Sequence, residues 1–316
     1  MDPEIIYNVQ QGFSWDWKVA LDLFLGGAGV GACVFSVGLY EFWGRKYRRI
    51  PQTAAFLAPI LVGAGLLVLM LKLGRPFQIF QTFTNFAPSA PLWWGGVFQT
   101  LFFAGAIWYA LLWRDLEPNP KRRKLGLALT PLALIVGGYH GMLLSVMPSR
   151  PLWNTGPTVL AALAAFMTTG IAAVLVVHLV RMKRDGRLSD PAHVHTFLTD
   201  LTPVRHVLVG ALLLQLGTFF LWWQSLRFGD LADRMALDAA NAGFGPMFWW
   251  LGIGVGLVLP LILGAHAVLK DDTEDNSRRL VWTIGITSCL ILVGGFFFRL
   301  SVVLAGQLNS PFVTLP

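Results

Sequence analysis

The sequence predicts an all-α membrane protein: eight transmembrane helices in one polytopic domain, with both termini outside. Three observations lead there. Apolar residues make up 55% of the 316 and charged residues only 13%, where a soluble domain carries about 25% charge. The apolar residues gather into runs of about 20, the length that crosses a bilayer, and mean hydropathy is +0.61. The basic residues gather between alternate runs. A large soluble enzyme, a nucleic-acid-binding protein and a disordered chain are all excluded. Two cysteines are too few for a disulfide framework, or alone for a zinc or iron–sulfur site.

The spans follow in order as 17–43, 53–72, 92–113, 125–147, 157–181, 203–227, 247–270 and 280–304. The first is preceded by Asp2, Glu4 and Asp16 instead of basic residues, so it reads as a retained span and not as a cleaved signal. Polar stretches reach about 20 residues only between the second and third spans and between the fifth and sixth. Loops after the odd-numbered spans hold 17 of the 24 basic residues, among them Arg45, Arg48, Arg122, Arg123, Lys124, Lys183, Arg187 and Arg279. The positive-inside rule puts those loops in the cytoplasm and both termini in the periplasm. The net charge of +7 thus reports orientation and gives no support to an anionic ligand.

Nine of the 13 tryptophans, including Trp15, Trp17, Trp93, Trp94, Trp153 and Trp222, fall at the outer level. An interfacial aromatic belt accounts for them. The run from Gly26 to Gly31 looks superficially like a dinucleotide fingerprint, but no strand precedes it. Gly27 with Gly31, and Gly252 with Gly256, instead form small-xxx-small pairs that let helices approach closely in lipid. Cys33 and Cys289 read as packing residues.

Ionisable groups inside a membrane are costly and mark function by default. Asp22, His140 and Arg299 sit well inside spans. At about 1.5 Å per helical residue, Asp22 and Arg299 lie about 8 Å, and Tyr139 and His140 about 10–12 Å, below the outer surface. An acid, a phenol, an imidazole and a guanidinium at one depth suit a polar headgroup with a lipid-soluble tail. Quinone chemistry needs that set: donors for the carbonyls and groups that exchange two protons. A plainer alternative has Asp22 and Arg299 neutralise each other while Tyr139 and His140 bond between helices. In the inner half His178, His206, His266, Glu41 and Arg205 gather near the cytoplasmic ends. No span carries two depth-matched histidines, so no haem is expected; snorkelling or proton entry suits these residues better.

Four segments resemble the NrfD/PsrC family of quinone-interacting membrane anchors. They are Trp15-Asp16-Trp17 with Leu23 to Gly31; Leu73-Gly74-Arg75-Pro76 through Asn85 to Gly95; Tyr139-His140-Gly141 leading to Arg150-Pro151-Leu152-Trp153-Asn154; and Gly294 to Arg299 ending in Ala305-Gly306-Gln307. They stand in the family's order over essentially the whole chain. The resemblance implies two four-helix bundles, over 1–147 and 157–316, with a quinone site near the periplasmic face in the first. It implies a partner bearing four [4Fe–4S] clusters, a molybdopterin catalytic subunit beyond it, and a bacterial inner membrane. By position Asp22 stands where polysulfide-reductase-type anchors carry a histidine, and Tyr139 matches the family's tyrosine; His140 could supply the missing imidazole.

These expectations give roles. Tyr139 and His140 donate to one carbonyl of a menaquinone or ubiquinone, Asp22 exchanges a proton, and Arg299 orients Asp22 or holds a water. The loop with Arg75 and Asn85 caps the site and touches the iron–sulfur partner. Arg205 is the one proton-route residue that the resemblance suggests. A secondary transporter and a passive anchor without a quinone site are the rival readings; no internal repeat favours the transporter.

Overall fold

The computed structural model describes residues 15–42, 48–72, 84–87, 89–189, 191–269 and 274–308, and these are helical throughout apart from short turns. In chain order the helices are α1 (Trp17–Phe42), α2 (Arg49–Lys72), α3 (Pro91–Leu112), α4 (Pro120–Ser145), α5 (Thr158–Arg184), α6 (Pro191–Arg227) and α7 (Leu231–Gly245). A π-helical run (Pro246–Val258), α8 (Leu259–Leu269) and α9 (Glu274–Ala305) complete the chain. Eight stretches among the described residues are long and apolar enough to cross a membrane, and they coincide with the eight predicted spans.

The differences lie at the ends. α4 begins at Pro120, five residues before the apolar run, because Asn119 caps it by accepting from the Lys121 N–H at 2.9 Å and Pro120 occupies the first turn. α6 begins at Pro191 and absorbs most of the polar stretch before the sixth span. The polar segment after Arg227 also folds, as α7, with a capping box between Asp230 and Asp233. The seventh span is π-helical from Pro246 to Val258. Pro260 has no N–H to return to Gly256, and the Leu259 N–H reaches back five residues to the Gly254 carbonyl.

Packing runs in two circuits. α1 packs on α2, α2 on α3, α3 on α4, and α4 returns to α1; likewise α5 packs on α6, α6 on α8, α8 on α9, and α9 returns to α5. The circuits meet where α5 lies against α1 and α4, and where α9 reaches α1. Both small-residue pairs sit at tight crossings. A side chain at Gly31 would strike the Phe166 carbonyl on α5, and one at Gly294 would strike the backbone of Gly256. These glycines are therefore packing residues, as their spacing predicts. The tryptophans divide: Trp17, Trp94 and Trp250 are exposed as a belt requires, but Trp153 and Trp222 are buried in the core.

Candidate functional site

The N-terminal ends of α1 and α5 and the C-terminal ends of α4 and α9 are fastened by residues from three of the four resemblance segments. Gln307 Oε1 accepts from the Trp15 N–H at 3.0 Å and Gln307 Nε2 donates to the Trp15 carbonyl at 2.7 Å. Trp15 stacks on Trp153 at 5.3 Å, and Trp153 Nε1 donates to the Val302 carbonyl at 2.8 Å. Arg150 Nη1 donates to the Gln307 carbonyl at 2.9 Å. A side chain at Gly306 would occupy the Trp153 indole position, which accounts for that glycine.

Below this fastening lie the predicted residues. Asp22 is 5% exposed on α1, and its Oδ1 is buried without a hydrogen-bond partner among the described residues. The carboxylate fills the space left by Gly65 of α2, where a Cβ would come within 2.9 Å of Oδ1. Tyr139 of α4 is buried and crosses α3 at Gly95, where any side chain would overlap its ring. Its phenol lies within electrostatic reach of Asp22. Two tight glycines thus seat the acid and the phenol, each against a different helix.

His140, the next residue, faces the other way. Its ring stands edge-on to Phe166 at 5.9 Å and is buried. With Arg299, Phe166, Trp222 and Phe298 it lines a mostly apolar cavity of about 60 Å³ where the two circuits meet. Holding a water takes about 10–15 Å³ measured this way, so the cavity has room for water. Arg299 donates from Nη1 to the Gly295 carbonyl at 3.0 Å and from Nη2 to Thr169 Oγ1 at 3.4 Å. Its guanidinium also lies 5.2 Å from the Phe24 ring and 5.0 Å from that of Phe166. No ion pair joins Arg299 to Asp22 among the described residues. The alternative of mutual neutralisation, and the role of orienting Asp22, therefore fail on geometry: Arg299 is held by α5 and by its own helix.

The structure thus brings the four residues into one region but sorts them onto two walls, Asp22 with Tyr139 and His140 with Arg299. Asn85 is exposed and makes no contact with either wall in the bonds observed, while Arg75 lies outside the described residues. Two groups were missed by the sequence reading. Gln99, one turn beyond Gly95 on α3, is 8% exposed; among the described residues its buried Nε2 and the buried Nε1 of Trp93 have no partner. A census of charge passes over both because neither is ionisable. The usable signal was helical: Gly95 and Gln99 are four residues apart and share a face.

The opposite half of the molecule also carries bonded polar groups. His178 Nδ1 lies 3.0 Å from Thr53 Oγ1, and its ring stacks on Phe197 at 5.6 Å. Arg205 donates to the Ala267 carbonyl at 2.8 Å and to Thr202 Oγ1 at 3.0 Å, which makes it a tie between α6 and α8. Arg122, read from sequence as a loop cation, is completely buried inside α4. It lies 4.0 Å from the Trp113 ring and donates to the Asp115 and Glu117 carbonyls at 3.0 and 2.8 Å. No cluster of three metal-ligating side chains occurs among the described residues.

A sequence profile described as "Polysulphide reductase, NrfD" matches residues 6–311. Similar proteins include the NrfD homolog of Haemophilus influenzae, 25% identical with 93% of this chain and 95% of that protein covered. A polysulfide reductase chain from Wolinella succinogenes is 26% identical, with 93% and 94% covered. A selenate reductase subunit from Mesobacillus selenatarsenatis is 23% identical, with 79% and 66% covered. The matched region contains all eight candidate spans and both walls of the site, and the chain belongs to the NrfD polysulfide reductase family of membrane proteins.

Proposed function

We propose that this chain is the membrane anchor of a respiratory oxidoreductase complex, binding quinone or quinol near the periplasmic face and exchanging electrons with an adjacent iron–sulfur subunit. The carrying observation is the Asp22 carboxylate, buried inside a span with Oδ1 unpaired and the Tyr139 phenol in reach. A buried, unbonded carboxyl costs stability and persists where a function uses it. The residues fit a quinone: the phenol of Tyr139 lies within electrostatic reach of Asp22, and α3, which packs on Tyr139 at Gly95, carries donors on Gln99 and Trp93 with no partner among the described residues, a set suited to carbonyl oxygens. When bound, a quinone supplies two-electron, two-proton chemistry. Asp22 would hold and release a proton at its free oxygen. Tyr139 and Gln99 would donate to carbonyls and fix the ring between α3 and α4. His140 would stand beside Tyr139 on the cavity wall, an imidazole placed to pass a proton there.

The wider arrangement belongs to the same reading. The two packing circuits support two four-helix bundles, and the basic loops support periplasmic termini in a bacterial cytoplasmic membrane. The names of the polysulfide reductase and selenate reductase relatives, each a component of a larger enzyme, support a multi-subunit complex. The family resemblance supports a four-cluster [4Fe–4S] partner with a molybdopterin subunit beyond it.

The test is quinol-coupled turnover of the assembled complex. Asp22→Ala and Tyr139→Phe are expected to abolish it while the complex still assembles and its catalytic subunit still works with an artificial electron donor. Unchanged turnover in both would reject the site. Insensitivity of the wild-type complex to quinone-headgroup analogues would favour a passive anchor.

A further inference from the structure

A second concavity lies at the opposite end of the first circuit, away from the site above. Tyr40 at the end of α1, the turn Pro118-Asn119-Pro120, and Arg123, Lys124 and Leu127 of α4 enclose about 400 Å³. That is within the range of about 300–1,000 Å³ usual for small-molecule sites. Its chemistry is two-sided. Arg123 and Lys124 are exposed, and Lys124 has no ion-pair partner among the described residues. Arg123 is held at Nε by Glu41 Oε2 at 2.9 Å, so its guanidinium is oriented while both Nη groups stay available. Tyr40 accepts from Arg122 Nη2 at 3.2 Å and keeps its own proton to donate. Below the cations the wall turns apolar. Leu127 and Leu134, seven residues apart on one face of α4, are 49% and 45% exposed, and a lipid tail would run along them.

We propose that this concavity binds the phosphate of an anionic phospholipid, with an acyl chain laid along Leu127 and Leu134. The position carries the assignment as much as the charge does. α1 ends and α4 begins here, so cations and apolar track meet at a membrane surface, where basic pockets between helices collect acidic headgroups. Among the described residues Glu41 is the one carboxylate bonded to the lining, and its Oε2 is held by Arg123 Nε. A free phosphate would use the cations but not the track.

The experiment is native mass spectrometry of the full chain released from nanodiscs of phosphatidylcholine with or without phosphatidylglycerol. Phosphatidylglycerol is expected to stay bound and phosphatidylcholine to leave. Lys124→Gln and Arg123→Gln should each reduce the retained fraction about fivefold, the effect of one cation near a headgroup. Glu41→Gln, which loses the ion pair but keeps both cations, should retain the lipid. Lys183→Gln, an exposed cation at the end of α5, should do the same. Equal retention of both lipids, an equal loss at Lys183→Gln, or displacement of phosphatidylglycerol by inorganic phosphate would overturn the proposal.

Discussion

Asp22 and Arg122 are both buried ionisable groups on membrane-spanning helices, and they are treated in opposite ways. Arg122 donates to two carbonyls and a phenol and lies against an indole. Asp22 makes no hydrogen bond or ion pair to any described residue, although its span is the most buried of the eight. A bonded buried charge stabilises the ends it ties together. An unbonded one only costs, unless a ligand completes it. The contrast separates architecture from chemistry: Arg122 closes the α3–α4 turn, whereas under the proposed function Asp22 is completed by the bound headgroup.

The comparison breaks most visibly at Asp22. Asp22→Asn should lower quinol-coupled turnover by at least about 100-fold, as expected when a proton-exchanging group is lost. The same complex should be as thermally stable as the wild type or more so, because an uncompensated acid has left the membrane. Arg122→Met should do the reverse. Turnover per folded complex should persist, while unfolding free energy falls by about 2–4 kcal/mol through lost hydrogen bonds and packing. Paired thermal melts and turnover assays read both. A destabilised Asp22→Asn with normal turnover would make Asp22 structural and erase the distinction.

Within the outer wall, Gly95→Ala sharpens the case for geometry. The new methyl would overlap the Tyr139 ring, so the phenol must swing away although no polar group is removed. Turnover should fall about tenfold or more, since misplacement by about 1 Å suffices for that. Gln99→Leu should be milder. It removes one neutral donor and leaves the helix intact, so the KM for quinol should rise about 3–10-fold with little change in kcat. A change in kcat alone would place Gln99 away from the bound headgroup.

The helices were legible because hydropathy in a membrane is nearly a direct readout of burial in lipid. All eight spans stand where the apolar runs put them, and the depth argument brought Asp22, Tyr139, His140 and Arg299 into one region. The ends were less legible. Arg122 looked like a loop cation because polar residues are excluded from apolar windows, though Asn119-Pro120 signals a helix start two residues earlier. Depth also could not say which way a side chain faces. Tyr139 and His140 are neighbours, and a helix turns 100° per residue, so one meets α3 and the other meets the cavity against α5. Gln99 lay beyond a search by charge altogether.

The smallest effect belongs to the surface. Lys72 Nζ donates to Asp16 Oδ2 at 3.0 Å and ties the outer end of α2 to the start of α1 beside the site. Burial raises the Asp16 carboxyl, but the Lys72 hydrogen bond, the Lys18 backbone N–H and both ammonium charges outweigh it and leave the group below the ordinary aspartate value. A depressed folded value stabilises above the unfolded pKa, 3.8 for a free aspartate, and that contribution is lost as pH falls through the folded one. Both side chains are about one-third exposed, so screening by water and salt holds the pair to about 0.2–1 kcal/mol. Asp16→Asn should therefore lower the melting temperature slightly at neutral pH, less so in high salt, and not at all at a pH where Asp16 is protonated. A loss that persists in acid would assign the effect to the hydrogen bond that the Asp16 side chain accepts from the Lys18 N–H at 3.0 Å and not to the ion pair.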